Sequence, residues 1–322
     1  MFSPQAGSGS RRAAAGLEAL VGGRGPVPLA RPRRRRAGVS VVHAAWVGAV
    51  VCLTSATPWG CAASASRAAP ATAATETDGT FPYTEPALVD LTYPFDAHTV
   101  YWPTSTPFRL RSVARGRTAG GYWYAANDFS AAEHGGTHLD APVHFAEEGW
   151  TADRIPLDRL IGPAVVVDIS ARAGEDADAE LTVGDLEAWE RAHGTIPAGA
   201  IVLLYSGWGV RWPDPTRYLG SSVRGRAADL HFPGFSRAGA EFLVRERRVD
   251  AVGTDTASID PGTSRDFIAH RVFGAADVPV LENVANLDRL PPVGAIVIAL
   301  PMKIGGGSGG PARVVAVLPA AR

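Results

Sequence analysis

Three of the chain's eight histidines, His134, His138 and His144, fall within eleven residues in the run EHGGTHLDAPVHF (Glu133 to Phe145), with Asp140 among them. A four-residue histidine spacing suits one face of a helix, but Gly135, Gly136 and Pro142 make a helix costly here. An extended segment fits better. In a strand His138 and Asp140, two apart, project to one side with their Cα atoms about 6–7 Å apart, and the preceding Gly-Gly turn folds His134 back toward them. Two imidazoles and a carboxylate suit Zn, Mn or Fe, and three protein ligands leave positions open for water and substrate. A lone histidine is usually a surface group or a satisfied core group; this density beside an aspartate points to a metal site.

The rest of the body reads as α/β. Apolar runs of strand length recur at Ala164 to Ile169, Ala200 to Tyr205, Val249 to Val252, Val278 to Leu281, Ala295 to Leu300 and Val314 to Leu318. Rich in Val and Ile and without clean alternation, several read as strands buried on both faces. Two helices are expected between them: Thr182 to His193, opened by a Thr182/Asp185 capping pattern, and Arg237 to Arg248, capped by Ser236. Gly and Pro clusters at Trp212 to Gly220 and Gly305 to Pro311 mark loops. No long linker divides the body, so residues 80–322 form a single domain. Most aromatics around Tyr122-Trp123-Tyr124 and Trp208 are expected in a packed core.

The amino end has the order of an address. Arg31 to Arg36 precede an apolar run, Ala37 to Leu53, then small residues and an Ala/Thr/Pro-rich stretch to Thr77. Residues 1–79 read as an export signal or membrane anchor followed by a disordered linker, with Cys61 open to lipidation; a mis-assigned start is the alternative. The expected location is secreted or extracytoplasmic, and cytoplasmic if the start is mis-assigned. Both cysteines, Cys52 and Cys61, lie in this part, which excludes a thiolate nucleophile or Cys-ligated metal from the body. Residues 76–322 carry 22 basic against 31 acidic groups, which gives no nucleic-acid signature.

The run HGGTHLDAPVHF resembles the signature of the cyclase-family metal hydrolases, among them bacterial kynurenine formamidases and isatin hydrolases. His270 and Glu282 stand twelve apart in HRVFGAADVPVLEN, as do a later His and Glu of the formamidases; VDLTYPF, LLYSGWG, HFPGFS, GTDTASID and LPMKIGGGSGGPARVVA are similar too. The resemblance covers roughly residues 86–319. It implies a mixed, barrel-like sheet flanked by helices, of swivelling β/β/α type, and a homodimer. It also implies that His134, His138, Asp140 and Glu282 bind one divalent metal, zinc or manganese, and that Asp140, His270 and Glu282 bind a second. His144 is then the proton donor and acceptor, and Trp102 lines the substrate site. The formamidases follow that Trp with Pro-Gly-Asp, where this chain has Pro103-Thr104-Ser105; the His cluster and YSGWG look closer to the isatin hydrolases, usually described with one manganese.

These residues suit hydrolysis of a carbon–nitrogen bond, because a divalent cation polarises a carbonyl and lowers the pKa of water from about 15.7 toward about 7. N-formylkynurenine is the first expected substrate and isatin the second, with other cyclic amides or lactones after them. A non-catalytic secreted metal-binding protein and a cyclase of natural-product assembly are the rivals. Asp255 and Asp260 follow a strand end and are read as structural caps. His98, His193 and His231 are isolated and default to surface or structural roles. Lys303 precedes a Gly-rich loop without Walker spacing, read as site-adjacent rather than nucleotide-binding.

Overall fold

A computed structural model describes residues 88–221 and 225–319. The expectations for residues 1–79, including the apolar run at Ala37 to Leu53, lie outside the described residues. Twelve strands and five helices follow in chain order: β1 (Leu88–Asp90), β2 (Arg109–Arg117), β3 (Trp123–Ser130), β4 (His138–Asp140), β5 (Ile161–Asp168), α1 (Ser170–Glu175), β6 (Glu180–Leu181), α2 (Val183–His193), β7 (Ile201–Tyr205), α3 (Pro215–Leu219), β8 (Gly234–Phe235), α4 (Arg237–Phe242), β9 (Ala251–Thr254), α5 (Ile268–Gly274), β10 (Val280–Glu282), β11 (Val293–Pro301) and β12 (Gly309–Val317).

Seven strands close on themselves in the order β12-β11-β5-β7-β9-β10-β4, with β4 pairing back onto β12, and β1 lies beside the far end of β12. β5, β7, β9 and β10 run parallel, and the remaining pairs are antiparallel. The expected α/β fold with a mixed, barrel-like sheet and flanking helices is therefore present.

Burial explains which strands were legible. The parallel strands send Val166, Ile201, Leu203, Ala251 and Leu281 into the barrel. Their other faces send Val165, Val167, Val202, Leu204, Val252 and Val280 under a helix layer built from Leu186 and Trp189 of α2, Ala240 of α4, and Ala269 and Phe273 of α5. A strand buried on both faces is apolar throughout. β11 and β12 bury alternate residues only, among them Ala295, Val297, Ala299, Val314 and Ala316. The Thr182 side chain accepts from the Asp185 amide while Asp185 accepts from the Thr182 amide, the reciprocal cap expected for α2. α4 starts at the Ser236 cap and continues in a wider winding over Leu243–Arg247.

Three expectations are corrected. The Trp212 to Gly220 loop contains the short helix α3, started by Asp214, whose side chain accepts from the Thr216 and Arg217 amides. The Gly305 to Pro311 loop is a strand from Gly309 onward, because Gly309, Gly310 and Pro311 pair with Asp140, Leu139 and His138. Tyr122, Trp123 and Tyr124 are exposed on the β2–β3 ribbon rather than packed in a core.

Inside the barrel Gly253 is the register partner of both Leu203 and Leu281. A Cβ there would lie 2.8 Å from Leu203 Cδ2 and 3.0 Å from Leu281 Cβ, so the missing side chain lets the two leucines close over β9. Leu203→Ala should lower unfolding free energy by about 2–5 kcal/mol, and Gly253→Ala by about 1–3 kcal/mol through overpacking. Together they should cost less than the sum in urea titrations, because the leucine removed is the group the new methyl would strike.

Candidate metal centre and active site

Pairing of two short strands creates the site. Glu282, at the end of β10, is the register partner of His138, at the start of β4, and cross-strand partners share a face. His138 Nε2 lies 3.4 Å from Glu282 Oε2. Asp140, two residues along β4, sits on the same side with Oδ1 3.1 Å from His138 Nε2. The Gly135-Gly136 turn brings His134 back until its Nδ1 is 2.6 Å from Asp140 Oδ1. That turn requires glycine: a Cβ on Gly135 would fall 2.0 Å from the Tyr101 ring, and Gly136 has φ +60°. From the other side α5 presents His270, with Nε2 3.1 Å from both Asp140 Oδ2 and Glu282 Oε1. His138, Asp140, His270 and Glu282 are all buried.

Hydrogen bonds at the far nitrogens settle which ring atoms face inward. His138 Nδ1 donates to the Gly136 carbonyl at 2.9 Å, and His270 Nδ1 donates to Asp260 Oδ2 at 2.6 Å. Ser308 gives its hydroxyl proton to Glu133 Oε2 at 2.6 Å, so its oxygen accepts from His134 Nε2 at 2.9 Å. Each neutral imidazole is thereby left with a lone pair aimed at a carboxylate oxygen.

Acceptors crowded against acceptors need a cation, and His138 Nε2 is buried without a hydrogen-bond partner. The same crowding governs the charges. Burial opposes ionisation of His138 and Asp140, but their attraction outweighs it: His138 is pushed up to about 9, and the Asp140 carboxyl is held well below the usual range by His134 and His138. Burial also opposes charge on His270, yet Asp140, Asp260 and Glu282 raise it well above an ordinary histidine. The ligand atoms of His134, His138 and Asp140 all lie within 4.8 Å of one another, as do those of Asp140, His144 and His270. This donor set fits a divalent transition-metal ion.

The structure brings together every residue the sequence singled out as a ligand. His144 differs from them. Its ring stacks on His134 with centroids 3.9 Å apart, and it is the exposed member of its group. Desolvation by the surrounding walls pushes it down to about 4. Trp102 meets Phe232 edge-on at 6.5 Å and Phe267 at 6.2 Å. Trp102, Tyr101, Phe145 and Phe267 wall a cavity of about 250 Å³ over this cluster of histidines and carboxylates, and no Lys or Arg is among its described lining residues.

Asp260, Glu133, Ser308 and Asn283 escaped sequence reading as site residues. Asp260, read as a cap, does cap α5 by accepting from the Ala269 and His270 amides, and in addition orients the His270 ring. Asn283 donates to the Gly136 carbonyl that His138 also uses. Only adjacency marked them: Glu133 and Asn283 border ligands, and Ser308 lies in the Gly-rich loop. Asp255 is structural as expected, accepting from the Ser206 and Trp208 amides while burial pushes its carboxyl up to about 6. His231 is exposed and paired with Asp178.

Asp260→Ala should weaken divalent-ion binding by about 10–100-fold while the chain stays folded, because the His270 ring loses its orienting partner. Calorimetric titration of the metal-stripped protein with Mn or Zn measures this; unchanged affinity would show that the Asp260–His270 bond has no part in holding the ion.

Comparison with known proteins agrees with this geometry. The Cyclase family model matches residues 89–261. The chain is 36% identical over 210 residues to the isatin hydrolase of Roseibium aggregatum, covering 62% of this chain and 78% of that one. It is 31% identical over 233 residues to the kynurenine formamidase of Salinibacter ruber, covering 71% and 96%. The solved structure of isatin hydrolase A from Ralstonia solanacearum superposes with a TM-score of 0.66 at 36% identity, covering 72% of this chain and 92% of that chain. Histidines and carboxylates converge where β4 meets β10, and the residues matched by the family model include His134, His138 and Asp140; the chain belongs to the cyclase family of metal-dependent hydrolases.

Proposed function

We propose that this hydrolase opens a small, uncharged cyclic amide of the isatin type. The observation that carries the reading is the cavity. Its about 250 Å³ fall below the ~300–1,000 Å³ usual for drug-sized ligands, and its upper walls are aromatic, with no Lys or Arg among the described lining residues. A flat one- or two-ring molecule suits such a space. N-formylkynurenine carries a free carboxylate that would want a Lys or Arg partner.

A divalent ion held by His134, His138, Asp140, His270 and Glu282 supplies Lewis acidity toward the amide carbonyl and toward water. The chain's own residues do the rest. Trp102 and Phe267 hold the planar ring and exclude water from its faces. His144 faces the cavity, and among the described residues its ring makes no hydrogen bond; it accepts a proton from the attacking water. As the C–N bond breaks, His144 returns that proton to the departing nitrogen, so one water yields an aryl amine and a carboxylic acid, which releases its own proton to solvent as the carboxylate forms.

The formamidase reading is the second one, supported by the 31% identity to the Salinibacter ruber protein. Offered isatin and N-formylkynurenine side by side, the Mn- or Zn-loaded protein should show the larger kcat/KM on isatin; the reverse order would move the assignment to formamides. His144→Ala should reduce kcat by about 10²–10⁴-fold while bound metal, measured by elemental analysis, stays at the wild-type level. Full turnover by that variant would remove His144 from the chemistry.

A further inference from the structure

Among the described residues, the buried side-chain atoms without a hydrogen-bond partner are Tyr101 Oη, Thr118 Oγ1, His138 Nε2 and Asn283 Oδ1. A divalent ion answers for His138. Of the others, Tyr101 and Asn283 line the cavity over the histidine and carboxylate cluster. A tyrosine hydroxyl rotates and can either donate or accept, so it dictates little about a ligand. A carboxamide oxygen only accepts, and leaving one buried without a donor is costly. Asn283 therefore says more about what enters the cavity.

That residue is held firmly. It follows Glu282, the last residue of β10, with φ +53°, a left-handed conformation that asparagine tolerates better than most residues. Its amide donates to the Thr256 carbonyl at 2.9 Å, its own carbonyl accepts from the Thr137 hydroxyl at 2.7 Å, and its side-chain Nδ2 donates to the Gly136 carbonyl at 2.8 Å. Because a carbonyl only accepts, this last bond fixes the orientation of the carboxamide, with nitrogen on Gly136 and Oδ1 turned the other way. Flipping it would set oxygen against oxygen. Asn283 is 2% exposed, so bulk solvent is not the missing donor.

We propose that Asn283 is a specificity residue whose Oδ1 accepts the ring N–H of the cyclic amide, and so selects a lactam over a lactone or an N-substituted ring. The inference rests on the cyclic-amide reading above and deepens it. A secondary cyclic amide presents its N–H next to the carbonyl carbon under attack. A lactone puts an oxygen there, lone pair against lone pair with Oδ1, and an N-alkyl ring brings no donor at all. Holding the N–H in the ring plane also presets the nitrogen for departure. The lone pair it regains as amide conjugation is lost stands out of that plane, open to the proton that His144 returns.

The test uses the full-length chain loaded with Mn. Calorimetry gives Kd for 2-aminophenylglyoxylate, the acid formed when isatin opens, and for phenylglyoxylate, which lacks the amine. Wild type should bind the first about 10–100-fold more tightly, and Asn283→Gly, which keeps the positive φ, should bind the two within about threefold of each other with its metal retained by elemental analysis. In turnover, wild type should show a kcat/KM about 10–100-fold lower on N-methylisatin than on isatin, a preference the glycine variant should lose. Equal wild-type affinity for the two acids, or a glycine variant that discriminates as well as wild type, overturns the assignment. Should the variant lose its fold or its metal, the wild-type substrates decide: equal kcat/KM on isatin and N-methylisatin overturns the proposal, and the expected drop supports it. Isatin turned over without discrimination removes Asn283 alone. No turnover of isatin and no binding of either acid removes the cyclic-amide reading, and this inference with it.

Discussion

Lone pairs set the problem this fold solves. His134, His138 and His270 each commit one ring nitrogen as a donor, to Ser308, to the Gly136 carbonyl and to Asp260. Their other nitrogens point at Asp140 and Glu282, which have no protons to offer when ionised. In a buried site such an arrangement is repulsive unless positive charge enters it, either as protons on the rings or as a cation. The raised His138 and lowered Asp140 are the proton version of that demand. A divalent ion held among these atoms would satisfy it with one charge centre.

The architecture is arranged around keeping those atoms close. β4 has only three residues, yet it pairs on one side with β10 and on the other with β12, so two ligands of the site sit on the strand that completes the barrel. Small residues make the approach feasible. A Cβ on Gly309 would lie 2.6 Å from the Leu139 carbonyl and 2.7 Å from the His134 ring, so the Gly-rich loop serves the site by backbone proximity, and its likeness to a phosphate cradle is incidental. His270 reaches the same point on a helix of seven residues whose first amides are held by Asp260. One carboxylate therefore fixes both where α5 starts and which way its histidine faces.

Much of this was legible beforehand, for identifiable reasons. The parallel strands announced themselves because burial on both faces removes the polar residues that blur a strand signal. α2 did so because its reciprocal cap is a local pattern. The His cluster was legible because three imidazoles and a carboxylate in one short run have few bland explanations. Asp260, Ser308 and Glu133 were not, because they act through a partner brought near by tertiary pairing: Ser308 is 174 residues from His134. The β2–β3 ribbon was missed because exposure on both faces abolishes alternation, and Tyr122, Trp123 and Tyr124 look like core residues to any reading that lacks their surroundings.

The seam between β4 and β12 closes the barrel with residues far apart in sequence. His138 faces Pro311 and Asp140 faces Gly309 across that seam, so the wall beside the His/carboxylate cluster comes from residues about 170 positions further along the chain, and without it the barrel is an open trough. The last long strand of the domain is thus the one that walls the His/carboxylate cluster on this side.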